Sequence, residues 1–320
     1  MRKFKNFTLL AISFATLIAF YSCSTDSNND KVPQNSVDST KGTVGKENPV
    51  TSEKGAITLY RIEGENIVKV DDYKVTGPDL EFQKDTQKHQ EIWNLVKKVV
   101  PTAYRTKMSE FLIYNGTADG TAGFVVEKNS DLTKWKMGIA INYASDKQEL
   151  IYTVIHEFGH ILTLNNEQVD ATISESACAN YFTGEGCAKS NSYIYKLQSQ
   201  FWVDIWSQFL TAQKGGESEL QKFYTNNSTR FVTQYAATNP GEDIAEVFAT
   251  FVTRNTGANG NSIAEQKIQL MYNYPELVTL RDYIRKNLGN SARSLGATSA
   301  LPAPGSWKKA NSFGNPTKSH

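Results

Sequence analysis

His156 and His160 stand four residues apart, with Glu157 beside the first, in the stretch Leu150 to Leu164, LIYTVIHEFGHILTL. On a helix, positions four apart lie one turn above the other, so the two imidazoles point the same way and can share one Zn²⁺ at about 2.0–2.1 Å. Glu157 lies roughly 100° further round. That is too far round for a third ligand but close enough to reach a water on the metal, where it would serve as general base. Leu150, Ile151, Val154, Ile155, Phe158, Ile161 and Leu162 recur at spacings of one, three and four, which predicts a helix with one broad buried face. A satisfied pair of core histidines would show the same spacing. The chain holds four histidines in all, and two of them fall in this pattern, which favours the metal.

A catalytic zinc keeps three protein ligands and one open position. The metzincin pattern would need glycine at 163 and histidine at 166, where this chain has Thr163 and Asn166. The remaining candidates are downstream carboxylates, and TQYAATNPGEDIAEVFATF stands out among them. Asn239 can cap a helix, Pro240 suits its first position, and Glu242 and Glu246 then lie four apart on one face. Ala245 and Ala249 flank that face and allow a close approach to the motif helix, while Ile244, Phe248 and Phe251 form a separate apolar side. One carboxylate would bind metal and the other would accept a hydrogen bond from a ligand histidine. Asn-Pro-Gly-Glu also fits a capping box, in which Glu242 only closes its own helix. Behind Glu242, the alternative ligands are Glu246, Glu175 and Asp170, in that order.

The H-E-F-G-H segment followed far downstream by Glu242-Asp-Ile-Ala-Glu246-Val-Phe248 resembles the gluzincin metalloproteases. Within them it is most similar to the group that contains the catalytic domain of anthrax lethal factor, which has a tyrosine seven residues before its glutamate ligand, as Tyr235 stands before Glu242 here. The similarity covers two short segments. It implies a zincin-like metalloprotease fold, Glu242 as third ligand of one zinc, and Tyr235 as the group that stabilises the oxyanion. The alternative for Tyr235 is a plain core tyrosine. The longer stretch between the two segments departs from that group, so the resemblance does not extend to substrate preference.

The chain has 320 residues, 39% of them hydrophobic and 11% aromatic, with a formal charge of +1. That balance suits a globular body and offers no basic stripe for nucleic acid. Arg2, Lys3 and Lys5 followed by the apolar run from Phe7 to Tyr21 read as an export signal, residues 1–22. Ser22-Cys23 and the polar run after it resemble the lipobox of bacterial lipoproteins, which implies a lipid on Cys23, and Ser24 resembles those sent to an outer membrane. Phe20 and Tyr21 depart from that pattern, so cleavage by the ordinary signal peptidase remains the alternative. Cys178 and Cys187, nine residues apart in an exported chain, predict a local disulfide.

Residues 23–54 are polar and without aromatic residues, and they read as a flexible spacer. The domain itself spans 55–288. ITLYRI and IVKVDDYKV read as strands about a turn, Gln83 to Val100 as a helix, and Phe111 to Tyr114, Gly123 to Glu127 and Met137 to Tyr143 as strands. The last of these leads into the motif helix and would either line a substrate cleft or lie inside the sheet. His89 reads as a surface residue. Ser192 to Gln213 is expected as one long helix, Leu220 to Tyr235 as a shorter one, Asn239 to Arg254 as the ligand helix, and Ile263 to Leu288 as two helices about Tyr274-Pro275. Residues 289–320 read as a disordered tail. The result is an α+β architecture with a small mixed or antiparallel sheet in the N-terminal half and a mostly helical C-terminal half. The expected molecule is a monomeric, exported, lipid-anchored zinc endopeptidase acting on peptide or protein substrates. Its alternatives are an inactive zincin-like binding or adhesion lipoprotein and a zinc hydrolase of another amide.

Overall fold

The computed structural model describes residues 54–118, 120–289, 291 and 311–312. The residues read as an export signal, Cys23 and the residues read as a spacer up to 53 lie outside the described residues, as do most of those read as a tail.

Period-two alternation of apolar residues builds the sheet. Strands β1 (Ala56–Glu63) and β2 (Asn66–Asp72) form an antiparallel hairpin whose register closes on Glu63 and Asn66. Gly64, with φ of 62°, opens the two-residue loop between them, where a turn of this hand needs glycine. Strands β3 (Met108–Tyr114), β4 (Gly123–Glu127), β5 (Trp135–Ala140) and a two-residue piece, Asn311–Ser312, complete a sheet ordered β2, β1, β3, β5, β4 and Asn311–Ser312. β1 and β3 are antiparallel, β3 and β5 parallel, and β5 and β4 antiparallel, so the sheet is mixed. Phe111, Ile113, Val125, Met137 and Ile139 face the main core, while Leu112, Tyr114, Phe124 and Ala140 form a smaller cluster on the opposite face.

Helices α1 (Pro78–Lys84), α2 (Thr86–Val99) and α3 (Thr102–Arg105) precede β3. Helix α2 presents Ile92, Trp93, Val96 and Val99 to the main core, as their spacing predicts. His89 lies on that buried side and corrects the surface reading. Its Nδ1 meets the Tyr60 hydroxyl at 2.7 Å and its Nε2 meets the Phe82 carbonyl at 2.9 Å. The carbonyl can only accept, so Nε2 carries the proton and the tyrosine donates to Nδ1.

Helix α4 (Lys147–Leu164) bears the histidine motif and starts on Asp146, whose side chain accepts from the backbone N–H of Gln148 and Glu149. Residues 150 to 164 are buried on every side, because the sheet and α2 cover one flank and the C-terminal helices cover the other. The strand ahead of α4 is an inner one, and the expected MGIAINY strand ends at Ala140 in a 3-10 turn.

The C-terminal half comprises α5 (Tyr193–Phe201), α6 (Trp206–Gly215), α7 (Glu217–Asn227), α8 (Pro240–Thr253), α9 (Ile263–Tyr272) and α10 (Pro275–Leu288). The single helix expected over Ser192 to Gln213 is broken at Trp202, whose fully buried indole N–H donates to Asp243 of α8 at 2.7 Å. Helix α8 is buried throughout and packs on α4. Gly159 sets that approach: a Cβ there would stand 3.2 Å from Ala245 Cα and 3.3 Å from the Phe248 ring. The fourth residue of the H-E-F-G-H run is therefore small because another helix backbone passes over it. Among the described residues no helix is long and apolar enough to cross a membrane.

Candidate metal centre

The α4–α8 contact brings His156, His160 and Glu242 to one point. Glu242 Oε2 lies 3.2 Å from His156 Nε2 and 3.3 Å from His160 Nε2, and the two imidazole nitrogens are 3.0 Å apart. Ligand atoms on a tetrahedral ion with bonds of about 2.0–2.1 Å are themselves about 3.3 Å apart. The three side chains are 1%, 0% and 3% exposed, so lone pairs from two rings and a carboxylate converge where water does not screen them. A divalent cation relieves that repulsion, and among the described residues this is the group of acids and histidines that could hold one.

Local structure explains why the Glu242 side chain reaches the histidines. The N-terminus of α8 is capped by Asn239, whose Oδ1 accepts from the Glu242 backbone N–H at 2.9 Å. The Glu242 side chain turns to the histidines instead of closing its own helix, and the capping-box alternative fails. Burial would raise the proton affinity of Glu242, but the two imidazoles outweigh it and hold the carboxyl well below the usual carboxylate range. Burial likewise depresses His156, yet Glu242 and Glu246 together push it well above its ordinary value. His160 is lowered, with burial the dominant cause.

Glu246, one turn beyond Glu242, approaches the first histidine. Its Oε1 lies 2.6 Å from His156 Nδ1, close but bent away from the N–H direction. Its Oε2 accepts from Thr233 at 2.7 Å and from the Tyr152 hydroxyl at 3.2 Å. Neither of those donors was expected from the sequence. Tyr152 precedes His156 by one helical turn and so shares its face, a signal the sequence does hold, whereas nothing in the sequence singles out Thr233. The second nitrogen of His160 is buried without a hydrogen-bond partner.

Glu157 is fully buried, and neither of its oxygens has a hydrogen-bond partner. Desolvation, reinforced by Glu242 and Glu246 and opposed by His156, pushes it up to about 8. It lies under Gly123 at the start of β4, where a Cβ would stand 2.9 Å from Glu157 Cγ and 3.0 Å from Oε1. Tyr235 lies in the 3-10 turn Tyr235–Thr238 ahead of α8. Its ring centroid is 5.9 Å from that of His156, and its hydroxyl hydrogen-bonds Glu242. Burial and the surrounding carboxylates raise it well above the ordinary tyrosine value, so it remains a donor. Among the fallback ligands, Glu175 is exposed and Asp170 accepts from Thr172 in the next loop. Neither belongs to the cluster. Cys178 and Cys187 form a disulfide, as their spacing predicts.

No curated protein and no solved structure matches the chain. Residues 113–282 match a family model described as "Putative zinc-binding metallo-peptidase", and this segment runs from the end of β3 into α10, including every residue of the cluster. With more than half of its length matched, the chain belongs to this family of zinc-binding metallo-peptidases.

Proposed function

We propose that the protein is a zinc-dependent endopeptidase of the gluzincin kind, with His156, His160 and Glu242 as ligands of one zinc and Glu157 as general base. The observation that carries this reading is the pairing of a three-point ligand cluster with a buried carboxylate that has no other partner. Zinc in such a set supplies Lewis acidity, lowering the pKa of a water toward about 7. Glu157 takes the proton from the attacking water and hands it to the leaving amine. Its burial raises its affinity for that proton. Tyr235 donates to the oxyanion that develops on the scissile carbonyl. Glu246 holds the His156 ring so that Nε2 faces the ligand cluster. We further propose that the protein is exported and tethered through a lipid on Cys23, on the strength of the lipobox-like segment.

The test is cleavage of a random peptide library by the zinc-loaded protein with and without chelator, beside Glu157→Gln. The expected outcome is chelator-sensitive cleavage that Glu157→Gln removes while zinc stays at one equivalent. Cleavage that survives Glu157→Gln, or a protein that holds zinc and cleaves no peptide, overturns the assignment. Loss of metabolic labelling by a fatty acid in Cys23→Ala tests the anchor.

A further inference from the structure

Thr233 belongs to neither of the two motifs, yet its one hydroxyl touches both halves of the site. It lies in the chain between α7 and the 3-10 turn Tyr235–Thr238, and it is buried. Its Oγ1 donates to Glu246 Oε2 at 2.7 Å, and the same atom accepts from the Ala236 backbone N–H at 3.0 Å. The direction of both bonds is fixed, because a backbone N–H can only donate and a hydroxyl has a single proton to give. A threonine that merely capped the turn would accept from Ala236 and leave its proton to water. Here the proton goes to a carboxylate on another helix, α8.

On the Glu246 side, Oε2 also accepts from the Tyr152 hydroxyl of α4 at 3.2 Å. Two donors on one oxygen fix the rotation of the carboxylate, and its other oxygen, Oε1, then lies 2.6 Å from His156 Nδ1. If the carboxylate turned away it would strand these buried donors, which is costly. On the Tyr235 side, the Ala236 N–H is part of the planar peptide unit that includes the Tyr235 Cα. Holding that N–H therefore sets where the Tyr235 side chain starts. The Tyr235 ring stands 5.9 Å from that of His156.

We propose that Thr233 is a positioning residue for peptide hydrolysis, whose hydroxyl sets Glu246 against His156 and the Tyr235 turn against the ligand cluster. A single side chain thus keeps the first ligand and the oxyanion donor in step. The Tyr235 half of this inference rests on the peptidase reading, whereas the Glu246 half needs only the metal site and can be measured without turnover.

The experiment compares the full-length parent with Thr233→Val, Thr233→Ser and Tyr152→Phe. Zinc affinity is read by competition with a chelator, and kcat and KM on a single peptide at saturating zinc. Thr233→Val keeps the shape and loses the hydroxyl. It is expected to bind zinc about tenfold more weakly, as loss of a group that orients a ligand does. Its kcat should also fall about tenfold or more with KM nearly constant, as misplacement of a reacting group does. Thr233→Ser keeps the hydroxyl and should restore both values. Tyr152→Phe removes the other donor to Oε2 without touching the turn, so zinc binding should weaken while kcat stays near that of the parent. A valine variant with parental zinc affinity and kcat, or a serine variant as impaired as valine, overturns the role, since packing of the methyl would then be what matters. Zinc binding weakened by valine and restored by serine, in a protein that cleaves no peptide, keeps the Glu246 half and refutes the peptidase. Chelator-sensitive cleavage that Thr233→Val leaves unchanged does the reverse.

Discussion

Glu242 approaches both imidazoles with the same oxygen, Oε2, and its carboxyl also accepts from the Tyr235 hydroxyl. The tyrosine therefore stands beside the ligand cluster, while its neighbours Ala236 and Ala237 are buried apolar packing. In the proposed mechanism its hydroxyl serves the transition state more than the bound substrate. Tyr235→Phe is expected to lower kcat by about 10²–10³ with KM nearly constant, the loss typical of removing one oxyanion donor. Zinc content should be unchanged. Steady-state kinetics on a single peptide check this, and an effect confined to KM would place the hydroxyl in ground-state binding instead.

Helix α8 carries two neighbouring acids that face different ways. Glu242 turns to α4, whereas Asp243 turns to α9 and meets Lys267 Nζ at 2.6 Å, with both side chains fully buried. The Trp202 indole N–H adds a second donor to the same oxygen, and the ammonium sits 4.2 Å from the centre of the Phe231 ring. Burial drives Asp243 up and Lys267 down from their ordinary values, so each needs the other to remain charged. This pair pins the Glu242 end of α8 to α9, and the Trp202 contact draws the break between α5 and α6 to the same point. Lys267→Met strands a buried carboxylate and is expected to cost about 3–5 kcal/mol. Asp243→Leu with Lys267→Met should recover most of that loss. Urea denaturation of Lys267→Met, Asp243→Leu and the double variant measures the coupling, and a double change as costly as Lys267→Met alone would remove the pair from this role.

Across the whole molecule, the sheet's hairpin is tied to α2 by His89, which is neutral in its buried contact between Tyr60 and Phe82. Burial lowers its folded-state pKa below the usual 6.5, an effect that the Phe82 hydrogen bond only partly offsets. Between the folded value and 6.5 the unfolded chain binds more protons, so stability rises with pH in that window. The contribution is complete above about 6.5 and is lost as pH falls through the folded pKa. His89→Gln should flatten the dependence of Tm on pH between about 5 and 7 relative to the parent protein, as thermal melts would read. Parallel curves would locate the acid sensitivity elsewhere, in the carboxylates of the metal centre.

Local spacing determined much of this protein by itself. Four-residue separations put His156 with His160 and Glu242 with Glu246 on shared faces, and Asn239-Pro240 starts α8 where its chemistry requires, because direction along a helix depends only on position in the chain. The alternation in β3 to β5 and the cysteine pair were legible for the same reason. Tertiary structure decided what depends on distant neighbours. It turned Glu242 to the histidines and not to its own N-terminus, let Gly159 admit the backbone of α8, broke the helix at Trp202, and drew His89 into the core. Those outcomes follow from burial, which makes a polar group take whichever partner lies within about 3 Å, and that partner comes from another part of the chain.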